Sequence, residues 1–208
     1  MQPNQSTPCT AFEGVRAIAA GSLAQVAEQV KRFLAQNQEV SILIFDDESG
    51  ETIELDMRGS VADVLARLAP ATPTPPAEPP DKPAAPRGPG RPKLGVVSRE
   101  VTLLPRHWDW LAGQPGGASV TLRKLVEQAR KVNQGRDQMR HAQEAAYKFM
   151  SAMAGDLPGF EEATRALFAG DVKRFQNLVD PWPRDIASFA MKLSQGAFPA
   201  PGKVGCAK

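Results

Sequence analysis

Carboxylates crowd one short stretch of the chain, Asp46-Asp47-Glu48-Ser49-Gly50-Glu51. Carboxylate oxygens are what hard cations such as calcium take as ligands, but a calcium loop alternates its ligands around a central glycine and closes on a glutamate at about its twelfth position. This run is too short for that cage, and it reads as the solvated tip of a hairpin. The two histidines, His107 and His141, stand on separate helical stretches with no nucleophile marked beside them. His107 falls on the exposed side of its helix. Asp156 and Glu161 are the remaining carboxylate pair with acid–base potential, and nothing around them marks a reaction. Phosphate-binding glycine loops, paired zinc histidines and nucleophile elbows are missing from the sequence. Cys9 and Cys206 lie near opposite ends, without a second cysteine or a histidine at metal-ligand spacing. The expectation is a protein without enzymatic activity, cofactor or metal, kept in a reducing cytoplasm.

Cations are the second chemistry on offer. Residues 1–81 hold 5 basic and 12 acidic side chains, whereas residues 87–140 hold 11 basic and 4 acidic ones. Such asymmetry points the middle of the chain toward an acidic partner. Its leading edge is Arg87-Gly88-Pro89-Gly90-Arg91-Pro92-Lys93. This run is similar to an AT-hook, whose core Arg-Gly-Arg-Pro lies in the minor groove. Here two extra residues split the arginines, and Gly90-Arg91-Pro92-Lys93 is the better match. Basic arms of this kind insert arginine into narrow grooves.

The arm leads into SREVTLLPRHWDWLAGQPGGASVTLRKLVEQARKV, residues 98–132. Val101-Thr102-Leu103-Leu104 is apolar and β-branched and stops at Pro105, which opens a helix. Trp108, Leu111 and Ala112 share one helical face. Gln114-Pro115-Gly116-Gly117 breaks that helix, and Ser119 is placed to cap a second one carrying Leu122, Leu125, Val126 and Ala129. A unit this small buries too little core alone and needs a partner. The order and spacing resemble the ribbon-helix-helix fold of bacterial DNA-binding proteins, in which two copies pair strands into a ribbon that enters the major groove. The resemblance covers Arg99 to about Val132. It implies a homodimer on duplex DNA, with Lys93, Arg99, Thr102 and Arg106 near the DNA, Ser119 beside a phosphate at the helix start, and Arg87 and Arg91 in the arm. Strand register stays open. Either Leu104, Thr102 and Glu100 face inward, or Val101 and Leu103 do, and a one-residue shift exchanges the two faces.

The elements that must position these residues give an α+β layout. Residues 10–69 read as a small acidic domain in the order β-α-β-β-α, in which Thr10 to Ala20 alternates weakly and Glu13-Gly14 is able to turn a short hairpin. Ser22 with Gln25, and Ser60 with Asp63, make capping boxes for its two helices. Val40 to Phe45 and Thr52 to Met57 read as paired strands across the acidic tip, and residues 1–9 as a disordered lead. Residues 70–92 hold ten of the 19 prolines and form an extended linker. Residues 93–134 carry the ribbon-helix-helix-like segment. Residues 135–195 form a bundle of four amphipathic helices with Gly/Pro joints, followed by a disordered tail from Gly196. The N-terminus lacks the basic and apolar regions of a signal peptide, and no run reaches the roughly 18 apolar residues of a membrane span.

FDDESGETIELDMRGS, GRPKLGVVSREVTLLPRHWDWLAGQPGGAS and AAYKFMSAMAGDLPGFEEATRALFAGD resemble a bacterial family of uncharacterised proteins across most of the chain. That likeness implies a cytoplasmic bacterial protein and no activity. The sequence therefore supports a DNA-binding protein of the transcriptional-regulator type. A non-enzymatic interaction or scaffold module, with a protein partner on the acidic N-terminal domain, is the alternative.

Overall fold

A computed structural model of the chain describes residues 4–37, 40–68, 97 and 99–199. The chain divides into two compact units, Met1–Ala71 with Gln134–Lys208, and Thr72–Asn133. The architecture is α+β, a small antiparallel sheet followed by helices. The expected linker at 70–92 lies outside the described residues.

In the first unit, β1 (Pro8–Glu13) and β2 (Arg16–Ser22) form a hairpin that turns at Gly14, where φ is 54°. α1 (Leu23–Gln36) follows, and β3 (Ile42–Asp46) then pairs antiparallel with the other edge of β1, so the sheet order is β2-β1-β3. α2 (Val61–Leu68) completes this part. The observed order is β-β-α-β-α rather than β-α-β-β-α. The turn expected at Glu13-Gly14 is present, but it joins two full strands where one weakly alternating stretch was expected, because β1 is central and covered on both faces: Cys9, Thr10, Ala11 and Phe12 are all buried. A strand covered on both faces has no alternation to display. Pro8 and Cys9, expected in a disordered lead, belong to it.

Thr52 to Met57 is not a strand. After one bridge from Phe45 to Thr52 and a bond from Ile53 N–H to the Ile44 carbonyl, at 2.7 Å, the ladder stops. Side chains take over the backbone carbonyls beyond it. Lys31 Nζ donates to the Met57 carbonyl, and Arg67 donates to those of Asp56 and Arg58. Ile53, Leu55 and Met57 still pack inward, so the alternation gave the buried face correctly.

Both capping boxes form. Ser22 Oγ accepts from the Gln25 N–H while the Gln25 side chain accepts from the Ser22 N–H. Asp63 Oδ2 accepts from the Ser60 N–H at 2.7 Å. At the acidic tip, Gly50 has φ 66°, and a Cβ there would run into the Ala145 carbonyl, so both conformation and close approach demand glycine.

Helices supply the rest: α3 (Pro105–Ala112), α4 (Gly117–Met153), α5 (Phe160–Ala169), α6 (Val172–Val179), α7 (Arg184–Leu193) and a closing 3-10 turn at Ser194–Gly196. The four expected bundle helices are present, but the first is the C-terminal part of α4, which runs unbroken from Gly117. The tail beyond Gly196 is packed, not disordered, as far as it is described. Ala197 is buried, and Phe198 stacks on Phe175 at 5.6 Å.

Two hydrophobic clusters lie on opposite faces of the sheet. Cys9, Ala11 and Ile44 point to α1, meeting Leu23, Val26 and Val30. Phe12 and Phe45 point the other way, into the helices, and close an aromatic cluster with Phe149 and Phe189 at centroid distances of 4.6–6.5 Å. Each such pair adds about 0.5–1.5 kcal/mol beyond its buried area. Residues 10–69 and 135–195, separated in the sequence reading, therefore share one core. α1 and α2 are too few to cover two faces of a sheet, and the helices near the C-terminus cover the second.

Candidate nucleic-acid interface

The second unit contains the segment that the sequence marks for DNA. Residues 99–104 carry no assigned strand in the single chain. The expected strand there is an edge with nothing to pair against, and a ribbon of this kind requires a second copy. Leu104 is extended, with φ −65° and ψ 148°, and hands over to Pro105 at the first helical position, as the proline's fixed φ favours. α3 then exposes Trp108 and buries Leu111. Gly116 and Gly117, at φ 90° and 74°, make the turn into α4. These conformations favour glycine and explain why the joint is so short.

Among the expected contact residues, Arg99, Thr102, Arg106 and Ser119 are all exposed. They come from the extended segment, the first turn of α3 and the first turn of α4. Arg87, Arg91 and Lys93 lie outside the described residues. Ser119 is not an N-cap: α4 begins two residues earlier, at Gly117, and the Ser119 carbonyl accepts from Arg123 Nε at 3.2 Å. The glycine-rich turn itself starts the helix, and the Gly117 N–H already donates to the Gln114 carbonyl at 2.9 Å.

Apolar exposure is the dominant physical feature of this unit. Val101, Leu104, Trp108, Leu125, Val126 and Val132 are all at least 41% exposed, and Leu111 is the one buried hydrophobic among its described residues. Exposed apolar side chains of this size mark an interaction surface. Four further cations of α4 went unmarked by the sequence reasoning: Arg123, Lys124, Arg130 and Lys131. Their seven-residue repeat was the available signal.

Several of the other marked side chains have structural partners. Asp47 accepts from Thr10 Oγ1 at 2.8 Å and from Lys192 Nζ at 2.7 Å, and Glu51 pairs with Lys148 at 2.6 Å. Asp46 Oδ1 accepts from the N–H groups of Glu48 and Ser49 at 2.8 Å. The acidic tip thus bonds the sheet to the helices and shapes its own turn. No group of three or more metal-ligating side chains converges among the described residues. His107 and His141 are exposed on different helices. Glu161 pairs with Arg165 at 3.3 Å. Burial, then the carboxylates of Asp47 and Asp46, push the Cys9 thiol up to about 12, which leaves it inert as a nucleophile. No helix among the described residues is long and apolar enough to cross a membrane.

Matched by its family model over residues 8–194, the chain belongs to the family described as uncharacterized protein conserved in bacteria (DUF2239). No curated protein and no solved structure matches it.

Proposed function

We propose that this protein binds duplex DNA as a homodimer built on residues 98–132, acting in the bacterial cytoplasm as a transcriptional regulator. The observation that carries the reading is the exposed apolar set of the second unit. An extended segment ending at a proline, a short helix, a glycine turn and a long helix present Val101, Leu104, Trp108, Leu125 and Val126 to solvent, and among the described residues there Leu111 is the one buried hydrophobic. A second copy brings the complementary half. Pairing the two extended segments would satisfy their edge groups and set Arg99 and Thr102 on a ribbon sized for the major groove. The excess of cations in residues 87–140 supplies the attraction to phosphate.

Trp110 favours a second reading, an interaction or scaffold module. It is 53% exposed and lies one turn from Arg106 on α3. Tryptophan and arginine together are frequent anchors of protein interfaces. A gel-shift on random duplex DNA at two salt concentrations separates the readings. Binding that weakens steeply with salt supports the DNA reading. Undetectable binding at low salt removes it and leaves the interaction module.

A further inference from the structure

We propose that the polar face of α4 is a second duplex-binding surface, which tracks the phosphate backbone beyond the reach of the ribbon and the arm. This deepens the DNA reading above and rests on it. Arg123 and Lys124 recur as Arg130 and Lys131 seven residues later, and all four are exposed. Seven residues are about two helical turns, or about 10.5 Å of axis, so the two pairs stand above one another on one side of the helix. Leu122, Leu125, Ala129 and Val132 follow the i, i+3, i+7, i+10 pattern on the opposite side. Covering that apolar stripe with a second copy leaves the cations of both copies facing outward.

Charge composition separates this face from the other exposed helices. On α5 and α6 the two arginines are matched: Arg165 pairs with Glu161 and Glu162, and Arg174 with Glu162 at 2.8 Å. On α4 between Gly117 and Arg136 there are five cations against the single carboxylate of Glu127, whose partner is Arg130 at 3.4 Å. Duplex DNA carries one charge per roughly 1.7 Å of axis, so the span of the two pairs faces about six phosphates. Four cations at that density match a polyanion. A merely solvated face would leave the salt dependence of DNA binding unchanged when its cations are removed.

The test uses the full chain and a random-sequence duplex, with affinity measured by fluorescence anisotropy over a series of salt concentrations. In the variant R123Q/K124Q/R130Q/K131Q, each lost contact flattens the slope of log K against log salt by about 0.9, so the expected change is up to about 3.6. Glu127→Gln should do the reverse and tighten binding several-fold at low salt, which keeps the proposal testable if the quadruple variant loses helix by circular dichroism. R16Q/R32Q/R165Q/K173Q removes equal charge from the first unit and should leave the slope unchanged. If wild type binds and the quadruple variant keeps its slope, or the first-unit variant flattens it equally, the stripe is overturned and the DNA reading stands. If Glu127→Gln fails to tighten binding, the stripe is likewise overturned. If wild type does not bind at low salt, the DNA reading falls and the stripe with it.

Discussion

Phe45 and Val126 are both large apolar side chains in regular or nearly regular stretches, yet Phe45 is fully buried and Val126 is 64% exposed. The first unit finishes its own core. Its sheet has two apolar faces, and the chain supplies α1 for one and the α4–α7 helices for the other. The second unit has the same kind of faces, but among its described residues Leu111 alone finds cover. One region closes intramolecularly, while in the proposed dimer the other would be closed by a second chain. Stability of the first is then independent of protein concentration, and under the proposed dimer that of the second would depend on it.

The largest effect that breaks this contrast is loss of the closed core. Phe149 touches Phe12, Phe45 and Phe189. Phe149→Ala should cost about 3–5 kcal/mol, a large part of a domain's typical 5–15. Cys9 reports it in a Cys206→Ser background. The buried thiol, with its pKa pushed up to about 12, resists alkylation at pH 8 in the parent and becomes reactive in the variant. Urea denaturation gives the magnitude, and a loss below about 1 kcal/mol would mean that the sheet and helices do not share a core.

Val126→Asp sharpens the contrast from the other side. At a position 64% exposed in the single chain, the substitution should alter monomer stability by less than about 0.5 kcal/mol. In a dimer that covers α4's apolar stripe, it buries a charge and should weaken association more than tenfold. Light scattering at tens of micromolar should report a dimer for the parent and a monomer for the variant, with Cys9 equally protected in both. A monomeric parent removes the ribbon-helix-helix assembly.

Local signals in the sequence proved legible where one short-range rule decided the outcome. Ser22–Gln25 and Ser60–Asp63 cap their helices as spaced, Pro105 starts α3, and Gly155–Gly159 and Pro181–Pro183 fall between helices. Long-range pairing was not legible. Thr10–Ala20 alternates only weakly because both faces of β1 are covered, so its turn at Glu13-Gly14 was legible and its two strands were not, and Thr52–Met57 gave alternation without a ladder because Lys31 and Arg67 take the carbonyls. Helical periodicity in α4–α7 showed that a buried face exists but not that Phe12 and Phe45 lie against it. At the candidate interface, Arg99, Thr102 and Arg106 were placed by analogy with a pairing that a single chain does not contain. The α4 cations went unnoticed because their repeat spans two turns, outside the i, i+3, i+4 patterns used to find core faces.

A smaller effect tests how local the first unit's helix signals are. Ser22→Ala removes the acceptor for the Gln25 N–H and should destabilise the unit by about 1 kcal/mol. Ser22→Gly should cost only a few tenths, and the difference is measurable by urea denaturation with Cys9 protection as a second readout.

The smallest effect concerns what ties the acidic turn to α4. Glu51 accepts from Lys148 Nζ at 2.6 Å, and that hydrogen bond, followed by the lysine's charge, holds the Glu51 carboxyl below its ordinary value of 4.5. A carboxyl whose folded pKa is depressed contributes stability above its unfolded pKa, and the contribution fades as pH falls through the folded value. The pair therefore helps at pH 7 and is lost in the acid range, beginning near 4.5. Both side chains are well exposed, at 62% and 45%, so solvent screens the pair and its worth is at most about 1 kcal/mol. Glu51→Gln should lower stability slightly at pH 7 and leave it equal to the parent below the folded pKa. High salt should shrink the pH 7 difference, since it screens exposed charges. A difference that persisted unchanged into acid would mean that Glu51 acts through the turn's packing on Ala145 rather than through its charge.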